Sequence, residues 1–252
     1  MVKRKIIILG TFLILLIVIL NISNLMASNS SDKNDNSTIK VMIYDGDGVM
    51  DSSVEGIEDC LNDSNNQNIS QHKFEYSTTD TIDKNTLNGY DVLIMPGGDA
   101  STYIENDDIN GSIIKQFVQN GNGYMGICAG AYAASNSVDG YYSGWGITPD
   151  VNTINENYTG LLSISTTSYG NKLINGSLIY IHMENGPAMY TNNSQIVMAN
   201  FADNNTGYQN FAAIIAETVG SGRVILSGPH PELYPENPRL LTNMVLWCSN
   251  KI

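Results

Sequence analysis

Short apolar runs that each stop at a glycine turn constrain this chain more than any other feature. Ile39-Lys-Val-Met-Ile-Tyr44 ends in Asp45-Gly-Asp-Gly48, Asp91-Val-Leu-Ile-Met95 ends in Pro96-Gly97-Gly98, and Gly123-Tyr-Met-Gly-Ile127 ends in Cys128-Ala-Gly130. Runs this short suit strands, and their weak polar alternation marks strands covered on both faces. Between them, Val54, Ile57, Cys60 and Leu61 recur at helical spacing behind Ser52 or Ser53 as a cap, with Asn62 to Gln71 too polar to continue the helix. Ile113, Ile114, Phe117 and Val118 form a second amphipathic helix, and Lys73 to Ser77 reads as a weaker strand. This alternation predicts an α/β fold built on a doubly wound, mostly parallel sheet.

After a helix beginning near Ala129 the rhythm changes. Leu161 to Thr166, Leu178 to His182, Ile196 to Phe201 and Phe211 to Thr218 are strand-like and separated by turns rich in Gly and Asn. Tyr141 to Ala202 therefore reads as an antiparallel excursion from the parallel sheet. Arg223 to Ser227 returns as a strand, and Pro238 to Cys248 closes the fold as a helix with proline in its first turn.

The amino terminus carries Lys3, Arg4 and Lys5 before an aliphatic run, Ile6 to Leu20, broken by Gly10 and Thr11. As a helix that run rises about 22 Å, short of the ~30 Å hydrocarbon core, which fits an export signal; Ile22, Leu25 and Met26 would extend it into an anchor. Residues 1–27 are thus expected to be a signal peptide or membrane anchor, 28–38 a polar linker, and 39–252 an extracytoplasmic domain, either secreted or held on the outer face of the membrane. Beyond residue 27, nine basic residues face 25 acidic ones, which argues against nucleic acid as a partner. Asn-x-Ser/Thr sequons, Asn157 and Asn204 among them, suit an exported surface. No metal-ligand spacing and no cofactor motif is present, so none is expected.

Gly126-Ile-Cys-Ala-Gly130 has the G-x-C-x-G form of a nucleophile elbow, in which a strained turn between strand and helix projects a thiol at the carboxyl edge of the sheet. The partial positive charge at the helix amino terminus favours the thiolate, and the Ala129 amide faces the place of a developing oxyanion. Gly97 and Gly98 are candidates for the other half of that oxyanion hole. Gly228-Pro-His-Pro-Glu232 follows the last strand, so His230 reaches the same edge with a carboxylate to orient it. Of the other histidines, His72 is expected to be exposed, whereas His182, with Asp99 and Tyr132, is a candidate substrate contact.

In this order, these motifs resemble the class I glutamine amidotransferase superfamily. A narrower resemblance rests on Tyr44-Asp-Gly-Asp-Gly48, Met95-Pro-Gly-Gly-Asp-Ala100 with Tyr103, Gly126-Ile-Cys-Ala-Gly-Ala-Tyr132 and His230-Pro-Glu232. These are similar to the amino-terminal domain found on some biotin-protein ligases and as stand-alone exported proteins. The resemblance spans residues 39 to 248 and implies a flavodoxin-like fold with Cys128 as nucleophile, His230 as base and Glu232 as its orienter. No ligase or synthetase domain follows Trp247, so neither enzyme name is expected to transfer.

The leading expectation is a cysteine-dependent amide hydrolase or acyl transferase acting on a small-molecule or peptide amide. The alternatives are a non-catalytic ligand-binding or scaffolding module on the same fold, and a thiol-redox or aldehyde-detoxifying activity. Cys60 and Cys248, on the first and last helices, are candidates for a disulfide, with Cys128 left free.

Overall fold

The computed structural model describes residues 38–252; the expected signal or anchor segment, and the linker up to Ser37, lie outside the described residues. In chain order the first strands are β1 (Thr38–Tyr44), β2 (Lys73–Thr79), β3 (Val92–Met95) and β4 (Gly123–Ile127). Helices α1 (Asp51–Gln67), α2 (Ala100–Glu105), α3 (Gly111–Gln119) and α4 (Ala129–Ala134) lie between and after them. The chain continues through β5 (Ser135–Val138), β6 (Tyr142–Ser143), β7 (Thr148–Ile154), β8 (Thr159–Thr166) and β9 (Leu178–Glu184). Then come β10 (Ala188–Thr191), β11 (Val197–Phe201), β12 (Ala212–Val219), β13 (Gly222–Ser227) and α5 (Pro238–Cys248).

The parallel part has the order β2-β1-β3-β4-β13, the arrangement of a flavodoxin-like sheet. Strands β1, β3, β4 and β13 are buried on both faces, whereas the edge strand β2 is largely open; within β1 the residues still sort by period two. Ile39, Val41 and Ile43 pack with Val54, Ile57 and Leu61 of α1 and Leu241 and Met244 of α5. Met42 and Tyr44 turn to the opposite layer, with Tyr103, Ile114, Phe117 and Val118. Asn110 and Asn237 cap α3 and α5 by accepting from Ile113 N and Leu240 N, respectively.

From β13 the sheet turns antiparallel through β12, β10 and β7, while β11, β8 and β9 branch from β12. The excursion is wider than expected. It begins at Ser135, includes β12, and contains one parallel pair, β5 with β7.

The first helix also differs from expectation, since it continues to Gln67. Ser64 stays on the buried face with Leu61, and Asn65 clamps the neighbouring strand: its amide donates to Phe74 O at 2.9 Å and its Oδ1 accepts from Phe74 N at 2.9 Å. Polar residues extend this helix because they hydrogen-bond to β2. Neither Ser52 nor Ser53 caps it; Met50 occupies that position without a side-chain bond, and Ser53 is committed elsewhere. Although α1 and α5 pack against each other, Cys60, Cys128 and Cys248 are all free, so the disulfide does not form. Burial pushes the Cys60 thiol up to about 12, as expected of a small buried hydrophobe rather than a reactive group.

Candidate active site

Cys128 stands between β4 and α4 with φ 50 and ψ −105, a conformation that costs a side-chain-bearing residue about 1–3 kcal/mol. The surroundings impose it. Cys128 N donates to Ser227 O at 2.8 Å, tying the turn to β13, and Gly130 N donates to Pro96 O at 3.2 Å, tying it to the loop after β3. A β-carbon on Gly130 would lie 2.2 Å from Met95 O, and one on Gly126 would lie 2.5 Å from Gly130 O. Both glycines are therefore demanded by the closeness of strand and helix.

His230 follows β13, the parallel neighbour of β4, so it reaches the same carboxyl edge as Cys128. Its backbone N–H donates to His182 O at 2.8 Å, and its ring is fully buried. Nδ1 lies 2.7 Å from Glu232 Oε1, with both side chains out of contact with solvent. With Glu232 as acceptor, Nδ1 carries the hydrogen and Nε2 is left as the basic nitrogen. Burial alone would push the imidazole's pKa down, but the charge of Glu232 and the adjoining Cys128 sulfur outweigh it, and the net shift is upward.

Among the described residues Nε2 of His230 is buried without a hydrogen-bond partner, and the Cys128 thiol instead donates to Glu184 O at 3.3 Å. The two groups are close enough for Cys128 to contribute to the imidazole's shift, yet the thiol hydrogen points to the excursion.

Ser53 and Gly56, both on α1, complete the support, and sequence reasoning missed them. Ser53 Oγ donates to Glu232 Oε1 at 2.6 Å and accepts from Gly97 N at 2.9 Å. A β-carbon on Gly56 would fall 2.5 Å from Glu232 O. The signal was a serine and a glycine on or beside the apolar face of an amphipathic helix, where each needs a packing or polar reason to be present.

The Gly97 amide is thus occupied, which corrects its assignment to the oxyanion hole. The Gly98 and Ala129 amides are used by none of the turn's backbone hydrogen bonds. Gly98, at φ 156, lies against the Gly48 carbonyl and leaves no room for a β-carbon.

A cavity of about 300 Å³ opens over Cys128, lined by Met50, Gly98, Asp99, Tyr132, Asn155 and Asn185 among others. Asp99 caps α2, and Tyr132 OH donates to Asn185 O at 3.1 Å while accepting from Glu156 N at 3.1 Å. Hydrogen bonds from Ser101 and Thr102 hold the Asp99 carboxyl below its ordinary range. His182 is not among the lining residues. It pairs with Glu184, Nε2 to Oε2 at 3.2 Å, and its ring meets that of His230 edge to face at 6.4 Å. His72 precedes β2 at the amino end of the sheet, away from this edge, and is half-buried rather than exposed. Among the described residues no group of three or more His, Cys, Asp or Glu side chains is arranged to hold a metal ion.

Comparisons with solved structures identify this architecture as the class I glutamine amidotransferase-like fold. PurLQS from Thermotoga maritima superposes with a TM-score of 0.58 at 16% identity, over 82% of this chain and 97% of that one. A ThuA-like protein from Bacteroides uniformis gives 0.54 at 14%, over 83% and 91%. A glutamine amidotransferase from Thermotoga maritima gives 0.52 at 11%, over 84% and 95%.

Within that fold, residues 39–144 match the family described as "Biotin-protein ligase, N terminal". No curated protein sequence matches the chain.

Proposed function

We propose that this protein is an extracytoplasmic, cysteine-dependent amide hydrolase or acyl transferase in which Cys128, His230 and Glu232 act as one unit. One observation carries the reading: a fully buried imidazole bound at Nδ1 by Glu232 keeps an unpartnered Nε2 beside a strained cysteine. A buried nitrogen without a partner is costly unless it has work to do, and accepting a thiol proton is work suited to it.

In the proposed reaction the thiol hydrogen leaves the Glu184 carbonyl and passes to His230 Nε2. The thiolate sulfur then bonds to the substrate carbonyl carbon, and the carbonyl electron pair moves to oxygen, where the Gly98 and Ala129 amides would receive it. As that pair returns, the carbon–nitrogen bond breaks, and the amine departs with the proton from the imidazolium. Water or an acceptor amine then releases the acyl group from sulfur. Glu232 orients and stabilises the imidazolium, and Ser53 holds Glu232. Export rests on the basic and aliphatic amino terminus, where an uncleaved segment would hold the protein at the membrane.

The hydrogen bond from Cys128 to Glu184 O favours a second reading, a binding module that keeps the pocket without turnover. The two separate in an acyl-trapping experiment. Mass spectrometry of the intact chain, mixed with glutamine, γ-glutamyl amides and short peptides, should reveal an adduct on Cys128 that is absent in Cys128→Ser and His230→Ala. Reversible binding of a panel member without any adduct or turnover would establish the module instead.

A further inference from the structure

The cavity over Cys128 has an uneven charge that the proposed chemistry does not require. The residues lining it include two acids, Asp99 and Glu184, and no lysine, arginine or histidine. Three of the basic side chains are committed elsewhere: Lys115 Nζ donates to Gly146 O, Arg223 lies over the Trp247 ring, and Lys73 is held by Asn65 and Asn68.

The Glu184 carboxyl faces the His182 ring and accepts from Thr159 Oγ1. The Asp99 carboxyl is met only by hydroxyl and backbone amide donors. Its four donors are Ser101 N and Oγ at 2.9 and 2.5 Å and Thr102 N and Oγ1 at 3.4 and 3.1 Å. These hold the carboxylate ionised, and none of them carries a positive charge. The remaining polar groups are neutral. Among the described residues, the side-chain NH2 groups of Asn155 and Asn185 have no acceptor, so they are available to a peptide or amide group.

We infer that this cavity selects amides whose acyl part bears no free carboxylate and whose amino or ammonium group faces Asp99. The inference rests on the catalytic reading of Cys128 and narrows it. Free glutamine is disfavoured relative to an amide whose α-carboxyl is blocked, because its α-carboxylate would enter an acid-lined cavity whose lining offers it no cation.

Charge selectivity at the sulfur can be measured without knowing the substrate. Using the full chain at about 0.15 M salt, where the Debye length of about 8 Å mutes the distant acidic surface, Cys128 is treated with a cationic trimethylammonium-ethyl or an anionic sulfonatoethyl methanethiosulfonate. Modification of the Cys128 peptide is followed by mass spectrometry. Relative to the same ratio for free cysteine, the cationic reagent should be favoured at least tenfold, and Asp99→Asn should remove most of that preference. Asparagine still caps a helix, so this variant keeps α2 in place.

A normalised ratio near one, or a preference unchanged in Asp99→Asn, overturns the inference. Rapid modification without charge preference would leave the catalytic reading standing alone. Slow modification with the preference intact would uphold the selectivity and remove the nucleophile. No modification by either reagent would overturn both.

Discussion

The parallel half of the sheet and the excursion divide the work unequally. In β1, β3, β4 and β13 nearly every residue is buried, and β4 and β13 end at the turns that carry Cys128 and His230. In β7, β8 and β9 buried and open positions are mixed along each strand, and Leu161, Leu178 and Tyr180 stand in solvent. The first region has one packing solution, so it can hold a strained residue in place. The second has a free face, and it supplies the walls of the site: the Glu184 carbonyl, Asn155 and Asn185. Strain sits where the scaffold is overdetermined, and the proposed selectivity would come from where it is not.

Matched glycine substitutions should break this comparison most visibly. Gly130→Ala pushes a methyl group against Met95 O in the parallel half and is expected to cost about 3 kcal/mol or more. Gly140→Ala, in the turn between β5 and β6 at φ 75 with open space around it, should cost only about 1 kcal/mol. Urea unfolding of both variants checks the contrast, and equal losses would refute it.

A smaller effect is expected at the hinge between scaffold and site. Ser53→Ala removes the donor to Glu232 and the acceptor for Gly97 N, leaving buried groups unpaired at a cost of about 2 kcal/mol. Because the lost bonds orient the imidazole, the reactivity of Cys128 should fall along with stability. A variant that loses stability but keeps full reactivity would make Ser53 purely structural.

The smallest effect lies where the two halves meet. Glu217 on β12, paired in register with Val224 of β13, has its carboxyl pKa raised to about 7 by burial and then by Asp150. The folded state therefore holds a proton that the unfolded chain releases near its ordinary value. Stability should decline as pH rises from about 4.5 to about 7 and level off above that. Glu217→Gln should raise stability at pH 8 by about 1 kcal/mol, because solvent screens this half-buried carboxylate, and should change little at pH 4. Thermal unfolding at the two pH values tests the sign.

Legibility in the sequence follows the same division. Uninterrupted runs such as Val92–Met95 are recognisable because both faces are buried, and a glycine turn marks each carboxyl end. Cys128, His230 and Glu232 were visible because their spacing from those strands places them at one edge. The span of the excursion was misjudged because Ser135–Val138 is polar and pairs locally, without an apolar period to announce it. The extension of α1 was hidden because Asn65 stabilises it through β2, a contact distant in sequence. Gly97 was misassigned because a glycine turn reveals that amides are available, not which one a serine on another helix will take.

The central claim, that Cys128 and His230 form one reactive unit, is tested most directly by the rate at which neutral iodoacetamide alkylates Cys128 near pH 6. The account predicts a rate at least tenfold above that of free cysteine under the same conditions, lost in His230→Ala and partly retained in Glu232→Gln. A wild-type rate no greater than that of free cysteine, and unchanged by His230→Ala, would contradict it.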